Sequence, residues 1–201
     1  RARIGIAFPD SRHFAGIFLT ILSIAMSGPP ALGATTPVYD YLVVVDTSFS
    51  MVRKKQILAE SLSDLIASGL GGRMRAGERL GFWTFNEKVH SERIPTRIWT
   101  PETSRALADQ AGRSLRSQWF EKQTRIDAAM AEIQKATKAS KFLTVILLSD
   151  GDSPMTGTPF DRSVNLVYRE HFRELQRTRK PFVTTLVASN GQFVAWAVAV
   201  G

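Results

Sequence analysis

A chain of 201 residues, 44% hydrophobic and without an internal repeat, is sized for a single packed core. Cysteine is absent, which excludes disulfides, zinc-thiolate centres and thiol catalysis. A formal net charge of +8 suits acidic partners or an anionic surface, yet the Lys and Arg residues are scattered and not interleaved with aromatics, so no nucleic-acid partner is expected.

The first 34 residues read as a leader. Arg1, Arg3 and Arg12 precede Phe14 to Met26, an uncharged apolar stretch, and Gly28-Pro29-Pro30 then breaks any helix. Ala31-Leu32-Gly33 offers the small residues a signal peptidase reads, so export to a periplasm, the cell surface or the extracellular space is expected. The stretch is too short to span a bilayer, and a cleaved signal is favoured over an anchor; membrane contact is expected only through an uncleaved leader. Removing residues 1–34 leaves 23 basic and 17 acidic side chains, a net charge of +6. Residues 35–201 then form one domain. Arg1 is not an initiator methionine and Gly201 follows a strand-like run directly, so a segment of a longer product is expected.

Tyr41-Leu42-Val43-Val44-Val45 is a continuous apolar run of the kind a fully buried parallel strand shows, and it ends in Asp46-Thr47-Ser48-Phe49-Ser50. From Val52 the apolar positions Leu58, Leu62, Leu65 and Ile66 recur at helical spacing until Gly69 to Gly72. Leu80 to Phe85 reads as a strand, and Asn86-Glu87-Lys88 turns it into a polar strand from Val89 to Ile94, an antiparallel edge hairpin. Thr100-Pro101 opens a helix carrying Leu107, Ala111 and Leu115. Ile126, Met130 and Ile133 mark another helix after Thr124. Phe142 to Leu148 is a second buried strand, ending in Ser149-Asp150-Gly151-Asp152, and Asp161 to Arg179 is a helix with Val164, Tyr168, Phe172 and Leu175 on one face. Two β-rich runs, Phe182 to Ala188 and Phe193 to Val200, flank Asn190-Gly191, a strong hairpin signal.

Carboxyl ends of strands are where open α/β sheets keep their ligand sites. With the two buried strands as neighbours, Asp46 and Asp150 meet across one crevice. Their repulsion calls for a proton or a cation between them, and the hydroxyls alongside favour a hard divalent ion. Residues 46, 48 and 50 alternate, so a tight loop turns three oxygen donors toward one point. Asp and Ser also cap strand-to-helix turns without any metal, and Thr124, with Asp127 three residues on, is equally a helix N-cap candidate.

The combination of D-x-S-x-S, an isolated Thr before a helix and an Asp-Gly after a buried strand resembles the metal-ion-dependent adhesion site of von Willebrand factor type A domains. The likeness runs along most of the chain after the leader. It implies a doubly wound, mostly parallel central sheet flanked by helices, an α/β fold of Rossmann-like type. It also implies Asp46, Ser48, Ser50, Thr124 and Asp150 as ligands of Mg²⁺, or of Mn²⁺ or Ca²⁺, with hydroxyls binding directly and aspartates largely through water. One coordination position is left for a Glu or Asp carboxylate of a protein partner. Two departures stand out: Phe49 replaces the loop glycine, and the terminal hairpin stands where a helix is usual, so a mixed sheet edge is expected.

Phe49, Trp119 and Phe120 flank the ligand loops and are candidates for an apolar rim, with core packing as their ordinary alternative. Arg53, Lys54 and Lys55 are candidates for steering an acidic ligand. Gly151-Asp152-Ser153 resembles the GDS serine hydrolases, but the triplet comes late and His171 lacks their Asp-x-x-His spacing, leaving Ser153 without a convincing base. A Mg²⁺-dependent aspartate phosphatase needs a second acid where Ser48 stands. The reading is therefore an adhesion-type binding module and not an enzyme, with a subunit role lacking direct metal contact as a further alternative.

Overall fold

Alternation along the apolar runs builds the architecture. In the computed structural model, which describes Ile4, Gly5 and residues 40–200, strand β2 (Asp40–Asp46) sends Leu42 and Val44 to one face and Val43 and Val45 to the other. Strand β5 (Phe142–Ser149) divides likewise, with Leu143, Val145 and Leu147 on the first face and Ile146 and Leu148 on the second. A strand buried on both sides has no polar face, which is why these runs carry no alternation of polarity.

The described strands form one sheet in the order β1-β7-β6-β5-β2-β3-β4, with β1 at Ile4–Gly5, β3 at Arg79–Phe85, β4 at Val89–Ile98, β6 at Phe182–Ser189 and β7 at Gln192–Val200. Central strand β2 pairs parallel with β3 and with β5. All other pairings are antiparallel, so the protein is α/β with a mixed sheet whose parallel part is its centre. β4 is the expected antiparallel edge and extends to Ile98, beyond the run read from sequence. Helices cover both faces. A 3₁₀ turn (Phe49–Lys54), α1 (Lys55–Ala67) and α2 (Pro101–Ser117) pack over Val43, Val45, Phe82 and Leu148; α3 (Ile126–Ala139) and α4 (Asp161–Thr178) pack over Val44, Val145 and Leu147.

Local chemistry sets the element ends. Thr100 accepts a hydrogen bond from Thr103 N–H while Thr103 Oγ1 accepts one from Thr100 N–H, a capping box with Pro101 in the first turn of α2. Asn190 and Gly191 both take positive φ, 49° and 81°, which closes the β6–β7 hairpin in the hand that strand twist prefers.

The terminal region adds antiparallel strands on the side of the sheet opposite β4. Phe182 pairs with Ser149, so β6 starts beside the end of β5 and runs back antiparallel to it. Along β6 the first face is covered, with Phe182, Thr184, Leu186 and Ala188 buried, while the residues between them are half-exposed. β1 lies within the segment read as a leader and pairs with β7 through Ile4–Ala199 and Gly5–Val198. The remainder of that leader, including Phe14 to Met26 and the cleavage region, lies outside the described residues. Among the described residues no helix is long and apolar enough to cross a membrane.

Candidate metal centre

Parallel pairing puts Val45 beside Leu148, so the chain continues from the two strands into Asp46 and Asp150 at the same end of the sheet. Both aspartates are buried, at 0% and 2% exposure. Each folds back on its own loop in the same way: Asp46 Oδ1 accepts Ser48 N–H at 2.8 Å, and Asp150 Oδ1 accepts Asp152 N–H at 3.0 Å. Such Asx turns hold a carboxylate at the mouth of a loop and fix its direction. Ser48 Oγ and Ser50 Oγ lie 3.0 Å apart, Ser48 buried and Ser50 exposed.

Thr124 reaches this group through its side chain, donating to Asp46 Oδ2 at 3.2 Å. The alternative role, capping α3, is not the one it takes: the residue preceding that helix is Arg125, and Asp127 is engaged by Arg125 in a bidentate pair at 2.8 and 2.7 Å. The loop that delivers Thr124 is fastened to the first motif by backbone bonds, Glu121 N–H to Thr47 O at 3.1 Å and Phe49 N–H to Lys122 O at 2.9 Å. Thr47 in turn is fixed to β3, its N–H and Oγ1 both donating to Phe85 O. Thr47, unnoticed in the sequence, is thus the hub that positions both loops.

Burial is the largest influence on Asp46 and raises its carboxyl to about 6; the charge of Asp150 adds to the rise, and hydrogen bonds from Ser48 and Thr124 only partly oppose it. A buried carboxylate held near another acid is a group that a cation would relieve. The donor set is two carboxylates and three hydroxyls, all hard oxygen, and among the described residues no three His, Cys, Asp or Glu converge as a metal cluster. The residues fit a weakly charged site for a hard divalent ion. They do not fit a zinc or thiolate centre.

Gly151 explains how the second loop leaves β5. Its φ is +72°, and a Cβ there would lie 2.6 Å from Phe182 Cε2 and 2.8 Å from Cδ2. Phe182 is fully buried and stacks on Tyr168 with ring centroids 4.5 Å apart, so it has no room to yield. Only glycine turns here.

The surroundings divide the proposed rim. Phe49 is 74% and Trp119 85% exposed, whereas Phe120 is buried in the core beneath α1 and α2. Phe49, Ser48, Ser50, Thr124, Asp152 and Ser153 line a shallow pocket over the motif loops. A larger pocket, lined by Thr47, Asn86, Gln118 and Trp119 among others, contains none of the five candidate ligands. The basic trio divides as well. Arg53 is exposed, but Lys55 donates to Gln118 O at 2.7 Å and lies over the Phe120 ring, and Lys54 is buried at 3% exposure. Of the three residues expected to steer an acidic ligand, Arg53 alone is exposed. The signal was present, because Met51, Lys54, Leu58 and Leu62 share helical spacing and place Lys54 on the core side. His171 sits on α4 with Nδ1 3.2 Å from Glu174 Oε2.

No family model matches the chain, and no curated protein matches it either.

Proposed function

We propose that the chain is an exported, divalent-cation-dependent protein-binding domain of the von Willebrand factor A type, and that it captures a partner through a Glu or Asp carboxylate. What carries the reading is the meeting of Asp46 with Ser48 and Thr124 by hydrogen bonds, with Asp150 alongside, at the carboxyl end of the parallel strands. Asp46, Ser48, Ser50, Thr124 and Asp150 would hold Mg²⁺, for which Mn²⁺ or Ca²⁺ would substitute. A bound ion of this kind supplies a hard acceptor for a carboxylate oxygen. The protein's own residues supply the rest: the Asx turns orient Asp46 and Asp150, Thr124 fixes the second oxygen of Asp46, and exposed Phe49 and Trp119 offer apolar contact to a partner seated over the loops.

The test is a thermal melt with and without Mg²⁺ or Mn²⁺. An ion that binds only the folded state raises the unfolding temperature by mass action, and EDTA reverses the rise. Asp150→Ala abolishes the response, and Asp152→Ala leaves most of it. Absence of both binding heat and thermal shift at roughly millimolar metal overturns the proposal. A pull-down from the native compartment, with and without EDTA, then identifies the partner.

A further inference from the structure

Lys54 ends the 3₁₀ turn that follows Ser48 and points its side chain inward. It is 3% exposed, and its Nζ is buried with no hydrogen-bond partner among the described residues. A buried ammonium without a partner is costly unless a nearby field stabilises it. Burial is the largest influence on the Lys54 ammonium and lowers its pKa; the charges of Asp150 and Asp152 from the β5 loop and of Asp46 from β2 partly oppose it.

We propose that Lys54 is a built-in counter-cation of the acidic pair, whose fixed positive charge opposes entry of a divalent ion and keeps the loaded site attractive to an anion. The inference rests on the metal-binding reading given above and adds the way the site's affinity is set. Three facts carry it. The ammonium is sealed from solvent, so counter-ions do not screen it. Among the described residues no hydrogen bond ties its charge to one acid, so its field spreads over the group. Its backbone is anchored by a turn beginning at Phe49, one residue after the ligand Ser48 and containing Ser50, so it has little freedom to withdraw when an ion arrives. Without metal, the same charge faces the acids Asp46 and Asp150 in a buried place. With metal, it leaves the site more positive than the ligand set alone would make it, which suits a carboxylate as the incoming group.

The experiment is calorimetric titration of the whole chain with Mn²⁺, comparing wild type with Lys54→Met and Lys54→Gln, each first shown folded by a thermal melt. Both neutral variants are expected to bind Mn²⁺ about tenfold more tightly, the direction opposite to the loosening that structural damage produces. Arg53→Gln removes an exposed, screened charge and is expected to stay within about twofold of wild type. Unchanged or weaker binding in both Lys54 variants, while the wild type binds Mn²⁺, overturns this inference and leaves the metal site standing. No Mn²⁺ binding by the wild type or by either variant overturns the metal site and this inference together. The two variants guard each other, since Met preserves the apolar stem and Gln a polar tip.

Discussion

Thr124 donates its hydroxyl to Asp46 Oδ2 at 3.2 Å and so joins two residues 78 positions apart in the chain. The bond exists because the loop before α3 is laced to the first motif at Thr47 and Phe49, which brings a half-buried hydroxyl to a fully buried carboxylate. Thr124→Val keeps the shape and removes the donor. The expected result is a loss of about 1 kcal/mol in metal-free stability by denaturant unfolding. Mn²⁺ affinity is expected to fall at least tenfold by calorimetry, a change of about 1.4 kcal/mol. Wild-type affinity in this variant would remove Thr124 from the ligand set.

Asp46 makes the metal-free protein pH-sensitive. Its carboxyl is raised from 3.8 to about 6 in the fold, so between those values the folded state keeps a proton that the unfolded state has released. The associated stability is fully present below about pH 4 and is lost as pH rises through about 6, amounting to about 3 kcal/mol. Denaturant unfolding in EDTA near pH 4.5 and near pH 7 is expected to show this slope. Asp46→Asn is expected to lack it, and an unchanged slope in that variant would assign the effect elsewhere.

Gly151→Ala tests the turn after β5. A methyl group would meet Phe182 at 2.6 Å in a backbone conformation with φ of +72°, so a cost of about 2–4 kcal/mol is expected from overpacking and left-handed strain together. Adding Phe182→Leu relieves the overpacking but not the strain, and a double-mutant cycle is expected to show partial recovery. Strict additivity of the two losses would mean that the contact is not what demands glycine.

Ser153→Ala separates binding from hydrolysis. Ser153 lines the shallow pocket over the loops, and the imidazole of His171 is engaged with Glu174 on α4, so neither metal affinity nor partner capture is expected to change. Treatment with a serine-reactive phosphonate is expected to leave Ser153 unmodified by peptide mass analysis. Labelling at Ser153 that disappears in His171→Ala would establish the hydrolase instead.

Periodicity and turn chemistry in the sequence were enough to mark most elements. Runs such as Leu42 to Val45 and Leu143 to Leu148 can be satisfied only by burial on both faces, and that requirement is local to the run. Asn190-Gly191 and Thr100-Pro101 likewise carry their turn and cap within a few residues. The loops holding Asp46 and Asp150 were legible because a buried apolar run ends beside each aspartate; the Asx turns that hold the two carboxylates are seen in the structure. Tertiary structure alone decided the rest. β6 starts beside the end of β5 and runs antiparallel to it, Thr124 acts as a partner of Asp46 and not as a cap because a loop docks on Thr47, and Phe120 and Trp119 part company because one meets α1 and the other meets solvent. Lys54 belongs to both sides of this division. Its helical spacing already put it on the core face, but the acids whose charges oppose the cost of its burial come from β2 and from the loop after β5, and that convergence is a property of pairing across the sheet that no stretch of sequence contains.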